Sequence, residues 1–149
     1  MKGNNMHEKS ENAITIWNEY VESFGLGTDL HLDIPFYTNG NIPDKELYDK
    51  MYPNMNWNYR TCNSISIGQG EMMVTPVQMA NLAVVFANRG YYYYPHFIKK
   101  IGDSLPNKIY KTKNYTKIDN KHFPLIANAM QQVVEGAGGT ARLARVNGI

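Results

Sequence analysis

Four histidines, one cysteine and two glycine-rich turns hold most of the side chains here that could do chemistry. His7, His31, His96 and His122 could each bind a metal or move a proton. A metal site needs three or four such donors brought together. None of the four shows a His, Asp or Glu partner at helical ligand spacing on a clear shared face, so no metal site is expected. Cys62 has no basic neighbour nearer than Arg60, whereas a reactive thiolate needs a positive surround. A small buried thiol is expected instead. As the single cysteine it also excludes an internal disulfide framework and a cysteine-based zinc site. Gly68-Gln69-Gly70 is too short for a dinucleotide fingerprint or a phosphate loop, so no cofactor is implied. Gln69 itself carries an amide that donates and accepts at once, which suits a peptide ligand. Gly136 to Gly139 reads as a helix exit before it reads as an anion nest.

The elements that must position these groups are mostly helical. Residues 1–11 are polar and lack an apolar period, and are expected to be a loose lead-in. Ile14, Trp17, Val21 and Phe24 then mark one stripe of a helix over 12–24, with Gly25 as its stop. Residues 25–43 are rich in Gly and Pro and form a long irregular connection, of a length more often functional than idle. A short helix is expected over 44–51, with Asp44 and Glu46 at its positive end. Ser64 to Ile67 alternates like a short strand. Thr75-Pro76 is a cap and first-turn pair, and predicts a helix over 75–89 whose apolar face is Val77, Ala80, Val84 and Ala87. Tyr91 to Ile101 and Lys108 to Tyr115 read as a hairpin near 92–115. A last helix is expected over 120–135, with Leu125, Ile126, Ala129, Met130, Val133 and Val134 as its apolar face.

Composition narrows the classes. The 149 residues are 43% hydrophobic and 19% charged, enough apolar matter for one core and too little charge for a disordered chain. No run reaches the roughly 18 apolar residues of a membrane span, and no signal peptide opens the chain. Charge is uneven: residues 1–60 carry 5 basic and 9 acidic side chains, residues 61–149 carry 10 and 4. Seven lysines lie between Lys99 and Lys121. They lack the arginines and interleaved aromatics of a nucleic-acid site, so a solvated edge is expected and no nucleic-acid partner.

Three segments carry a family resemblance. They are Ser66-Ile67-Gly68-Gln69-Gly70-Glu71, then Val74-Thr75-Pro76-Val77-Gln78-Met79-Ala80-Asn81, then Ala87-Asn88-Arg89-Gly90. In that order they resemble the transpeptidase domain of class B penicillin-binding proteins, the penicillin-binding protein 2 group above all. Ser23-Phe24-Gly25-Leu26-Gly27 with Asp33-Ile34-Pro35, Gly40-Asn41-Ile42-Pro43, Tyr94-Pro95-His96 and Gly139-Thr140-Ala141 are similar to further family segments. The resemblance runs from about Ile14 to Ile149.

The resemblance implies an α-rich segment of the α/β serine-transpeptidase, β-lactamase-like fold, with about four helices, one β-hairpin and most of the central sheet absent. It implies an acyl transfer on peptidoglycan stem peptides that β-lactams trap. That chemistry rests on S-x-x-K, S-x-N and K-[ST]-G. No S-x-x-K and no K-[ST]-G occurs here, and Ser10-Glu11-Asn12 matches S-x-N only by letter, lying too close to Phe24. No catalytic residue is therefore expected in this chain. Residues 12–149 would be a partial transpeptidase domain between the second and third motifs, inactive alone. The parent would be anchored in the cytoplasmic membrane with this domain outside the cytoplasm. Its partners would be stem peptide, β-lactams and the rest of the domain, with self-association of the piece alone. Gln69 is the substrate-binding candidate and Gly68 and Gly70 the backbone that supports the cleft; the plainer reading of Gln69 is a cap for the next helix. The rival reading is a non-enzymatic β-lactam sensor or envelope-binding module of the same fold.

Overall fold

The computed structural model describes residues 5–104 and 107–146. Four helices dominate: α1 (Met6–Glu22), α2 (Lys45–Met51), α3 (Pro76–Ala87) and α4 (Phe123–Glu135). Two short strands, β1 (Tyr91–Tyr92) and β2 (Asn114–Tyr115), pair antiparallel with Tyr91 opposite Tyr115 and Tyr92 opposite Asn114.

Helix α1 corrects the expected loose lead-in, whose Met1–Asn4 part lies outside the described residues. The Asn5 side chain accepts from the Glu8 N–H at 2.9 Å and starts the helix at Met6. A polar cap and a polar first turn suffice to begin a helix that later packs on Ile14. Helix α2 starts the same way, on the Asp44 carboxylate.

Two apolar clusters hold the elements. Ile14, Tyr48, Trp57 and Ile65 join α1 and α2 to the 3-10 turn at 63–67. Leu30, Val85, Tyr92 and Phe123 join α3, β1 and α4, with Phe24 and Phe86 against them. Each such buried side chain contributes about 1.5–3 kcal/mol.

Ser64–Ile67 is a 3-10 turn, not a strand. Its Ser-Ile alternation points Ile65 into the first cluster, and Gly68 follows in the left-handed region at φ 72°. The hairpin is likewise shorter than its sequence period. The Asp33 carboxylate accepts the N–H groups of Phe97 and Ile98, both at 2.8 Å, so these donors bond a loop and not a ladder. The return limb coils into a 3-10 turn at Lys108–Lys111, capped by Asn107. Three lysines of the basic stretch have partners: Lys117 pairs with Glu19, Lys121 with Asp119, and the Lys113 ammonium lies 4.1 Å from the Tyr91 ring centre.

Helix α3 inverts the expected face. Its buried residues are Gln78, Asn81 and Val85, while Met79 and Val84 are exposed. Thr75 and Gln78 form a capping box, in which the Gln78 amide oxygen accepts from the Thr75 N–H at 3.0 Å. Its amide nitrogen donates to the carbonyls of Asn39 at 2.8 Å and Thr28 at 3.3 Å. Asn81 donates to the Phe24 carbonyl at 3.0 Å. Two buried amides thus fasten the irregular stretch 24–41 to one helix. Helix α4 buries only Phe123 and leaves Leu125, Ile126, Met130 and Val133 exposed.

Replacing Gln78 by Ala should unfold this loop system first. The side chain is 1% exposed and serves two carbonyls and one N–H. Loss of the cap and stranding of the carbonyls should cost about 2–4 kcal/mol. Urea unfolding reads this directly, and a change below about 0.5 kcal/mol, the size of an ordinary surface substitution, would contradict it.

Candidate functional site

Gln69 sits at the tip of a turn held from both ends. Upstream, the Gly68 N–H donates to the Ile65 carbonyl at 3.0 Å and the Gln69 N–H to the Ser64 carbonyl at 3.1 Å. Ile65 is buried in the first cluster, so the turn leaves a fixed base. Gly70 lies at φ 74°, and a Cβ there would stand 2.5 Å from the Ser64 hydroxyl oxygen. Glycine suits the angle, and a side chain there would have to displace the Ser64 hydroxyl.

Downstream, Glu71 is anchored twice. Its carboxylate accepts from the Tyr48 hydroxyl at 2.9 Å, and its carbonyl accepts from the Asn41 side chain at 3.0 Å. Met73 and Asn41 then exchange both backbone hydrogen bonds, at 2.7 and 2.8 Å. Gly40 packs so closely on the Met73 carbonyl that no Cβ would fit, and its φ is 69°. Two residues later Thr75 caps α3.

The Gln69 side chain faces solvent and bonds no described residue. It does not cap the next helix, because Thr75 and Gln78 fill that role. What remains is a free amide on a backbone fixed by neighbours on both sides.

The other candidate groups resolve into structure. Ser10 is buried and its hydroxyl donates to the Met6 carbonyl one turn back, so Ser10-Glu11-Asn12 is helix interior. The Cys62 thiol donates to the Asn58 carbonyl, and burial pushes its pKa up, away from the reactive thiolate. Gly136 and Gly139 use their N–H groups on Gln132 and Gly136, and Ala141 bonds back to Val133, which makes this stretch a helix exit. His31 lies in a turn closed by Asp29, and His96 packs against Tyr110. His7 was missed as a grouped residue because residues 1–11 read as loose; with α1 starting at Met6, His7 and Glu11 are one helical turn apart.

The surroundings of the turn match a known domain. Residues 6–149 match the family described as the penicillin binding protein transpeptidase domain. The chain belongs to that family. A peptidoglycan D,D-transpeptidase named MrdA from Haemophilus influenzae is 29% identical over 133 residues, 85% of this chain and 20% of that protein. The MrdA of Acinetobacter baumannii is 30% identical over 98 residues, 60% of this chain and 13% of that protein. The crystal structure of Pseudomonas aeruginosa PBP2 in complex with WCK 5153 superposes with a TM-score of 0.74 at 27% identity, over 92% of this chain and 31% of that one. The chain thus spans about a fifth or less of the length of these curated relatives. Its helix-rich architecture, four helices with one two-stranded antiparallel sheet, is part of the penicillin-binding protein 2 transpeptidase fold.

The Tyr48–Glu71 anchor gives the site a pH signature. Burial, then the hydrogen bond to Glu71, pushes the Tyr48 phenol well above its usual 10.0, and burial pushes Tyr92 up to about 12. Raised folded values favour the protonated phenol in the fold. The stability they contribute is whole below pH 10 and falls as unfolded tyrosines ionise above it, by up to about 1.4 kcal/mol per pH unit for each tyrosine. Stability measured from pH 9 to 12 should therefore decline, and Tyr48→Phe should flatten the decline. An identical slope in the variant would contradict the assignment.

Proposed function

We propose that this chain is the cleft wall and substrate-positioning part of a serine-type peptidoglycan D,D-transpeptidase. The observation that carries the reading is the family match over residues 6–149, with the Gly68-Gln69-Gly70 turn held rigid at its centre. In that reaction a serine attacks the carbonyl of the penultimate D-alanine of a stem peptide. The terminal D-alanine leaves, and the amine of a second stem peptide takes the acyl group from the serine. β-Lactams acylate the same serine and hydrolyse slowly. The nucleophile, its lysine and the K-[ST]-G strand are supplied by the parent protein, since this sequence contains neither S-x-x-K nor K-[ST]-G.

Gln69 is assigned to the peptide amide of the stem peptide or β-lactam. Its own amide both donates and accepts, matching one peptide group with two hydrogen bonds. Gly68 and Gly70 supply the turn that fixes it. Because no described residue uses the Gln69 side chain, it reaches a ligand without first breaking an internal bond.

The remainder of the transpeptidase domain is the partner for the exposed face of α4, whose Leu125, Ile126, Met130 and Val133 need cover. The chain by itself would bury this face by self-association. No helix among the described residues is long and apolar enough to cross a membrane. An anchor in the cytoplasmic membrane would therefore come from another part of the parent, with this domain outside the cytoplasm where stem peptides are.

The test is Gln69→Ala in the longer protein that carries the flanking motifs. Losing two amide hydrogen bonds should slow β-lactam acylation about ten- to a hundredfold. The melting temperature should stay put, because the side chain is exposed. Unchanged acylation at unchanged stability would remove Gln69 from the site.

A further inference from the structure

We propose that the limbs at 97–104 and 107–111, with the loop tip at Phe36, form a face that grips peptidoglycan apart from the Gln69 turn. Stem-peptide carboxylates would lie on its lysines and sugar rings on its aromatic side chains. The occupant is named on the reading above that the parent acts on peptidoglycan.

The charge on this face is unspent. From Phe97 to Lys111 stand four lysines, Lys99, Lys100, Lys108 and Lys111, against one acid, Asp103. All four are exposed, and none of their ammonium groups has an ion-pair partner among the described residues. Lysines that only keep an edge soluble need no apolar surface beside them. Here Phe36 is 90% exposed, Ile101 71% and Phe97 62%. Large apolar side chains gathered inside a charged rim mark a surface that binds something.

The fold brings these groups together from distant segments. The Asp33 carboxylate takes the N–H groups of Phe97 and Ile98, which holds the Phe36 loop against the first limb. Tyr37, next to Phe36, donates its hydroxyl to Asp29 at 2.7 Å. The Tyr110 hydroxyl donates to the His31 carbonyl at 2.8 Å, and the His96 and Tyr110 ring centres are 4.8 Å apart. A recess of about 210 Å³ opens between the limbs, lined by Ile98, Ile101 and Tyr110 with Lys100, Ser104 and Asn107. Rings held this way lose little freedom when a ligand lands on them.

Chemistry selects the partner. A stem peptide ends in a carboxylate, and the polymer repeats that group along a sugar backbone. Carboxylates pair with ammonium groups, and the C–H faces of sugars lie flat on aromatic rings. A membrane-binding surface separates its apolar face from its charges. Here Lys99 and Lys100 stand between Ile98 and Ile101, which suits a solvated chain laid across the face.

The test is co-sedimentation of the chain with purified peptidoglycan sacculi, read against the chain spun alone. Sacculi should capture the chain, and raising salt from about 0.05 to 0.5 M should release it. Sacculi whose carboxylates have been converted to methylamides should capture far less. The double change Lys99→Gln with Lys100→Gln, and Phe36→Ser alone, should each weaken capture about three- to tenfold at an unchanged melting temperature. Capture forms no acyl bond, so its failure leaves the Gln69 assignment to its own acylation test. No capture, equal capture by methylamidated sacculi, equal capture of both variants, or binding to phosphatidylglycerol vesicles in place of sacculi would overturn the face.

Discussion

The amide of Gln78 is the interaction on which the rest of the arrangement hangs. It is uncharged, buried and fully used: it accepts from Thr75 and donates to Thr28 and Asn39. Gln78 is buried, where such bonds are strong and losing them leaves carbonyls without their partner. Through Asn39 the amide fixes Gly40 and Asn41. Asn41 in turn pairs with Met73 and holds the Glu71 carbonyl. Glu71 is bound to Tyr48 in the first apolar cluster. The Gly68-Gln69-Gly70 turn is therefore positioned by a helix cap on one side and by an aromatic core on the other.

This order of dependence explains why the family segments read as they do. Thr75, Pro76 and Gln78 start α3 and hold the loop; Asn81 adds the tie to Phe24. Asp33 collects the N–H groups of Phe97 and Ile98, and the Phe97 bond above all keeps its carboxyl below the usual range. Gly40 allows the close approach to Met73. These residues act as supports, whereas the Gln69 side chain faces solvent and bonds no described residue.

Caps and turns were the most legible part of the sequence. Thr75-Pro76 and Asp44 marked two helix starts, because capping is a local contest that a few residues decide, whereas α1 ends at Glu22, two residues short of the end that Gly25 suggested. The start of α1 was not legible, since an apolar period cannot see a helix begun by Asn5 on polar residues. With it went the pairing of His7 and Glu11. The Ser64–Ile67 alternation misled because no described strand lies beside it to complete a ladder, and Ile65 finds burial by coiling. The face of α3 misled for another reason. Its inward positions are amides, and burial there is set by long-range hydrogen bonds that a hydrophobic pattern does not register. On α4 the apolar period was read correctly, yet its stripe stays uncovered within this chain. The family resemblance located the Gln69 turn, and the geometry then removed its capping alternative.

The central claim is that this chain supplies supports and one recognition group for an acyl transfer whose nucleophile lies elsewhere. The most direct measurement is the intact mass of the chain after incubation with a large excess of a β-lactam. The account predicts an unchanged mass, because Ser10 is spent on its own helix and the sequence contains no S-x-x-K. A stoichiometric acyl adduct would contradict it, and the modified residue would name a nucleophile within these 149 residues.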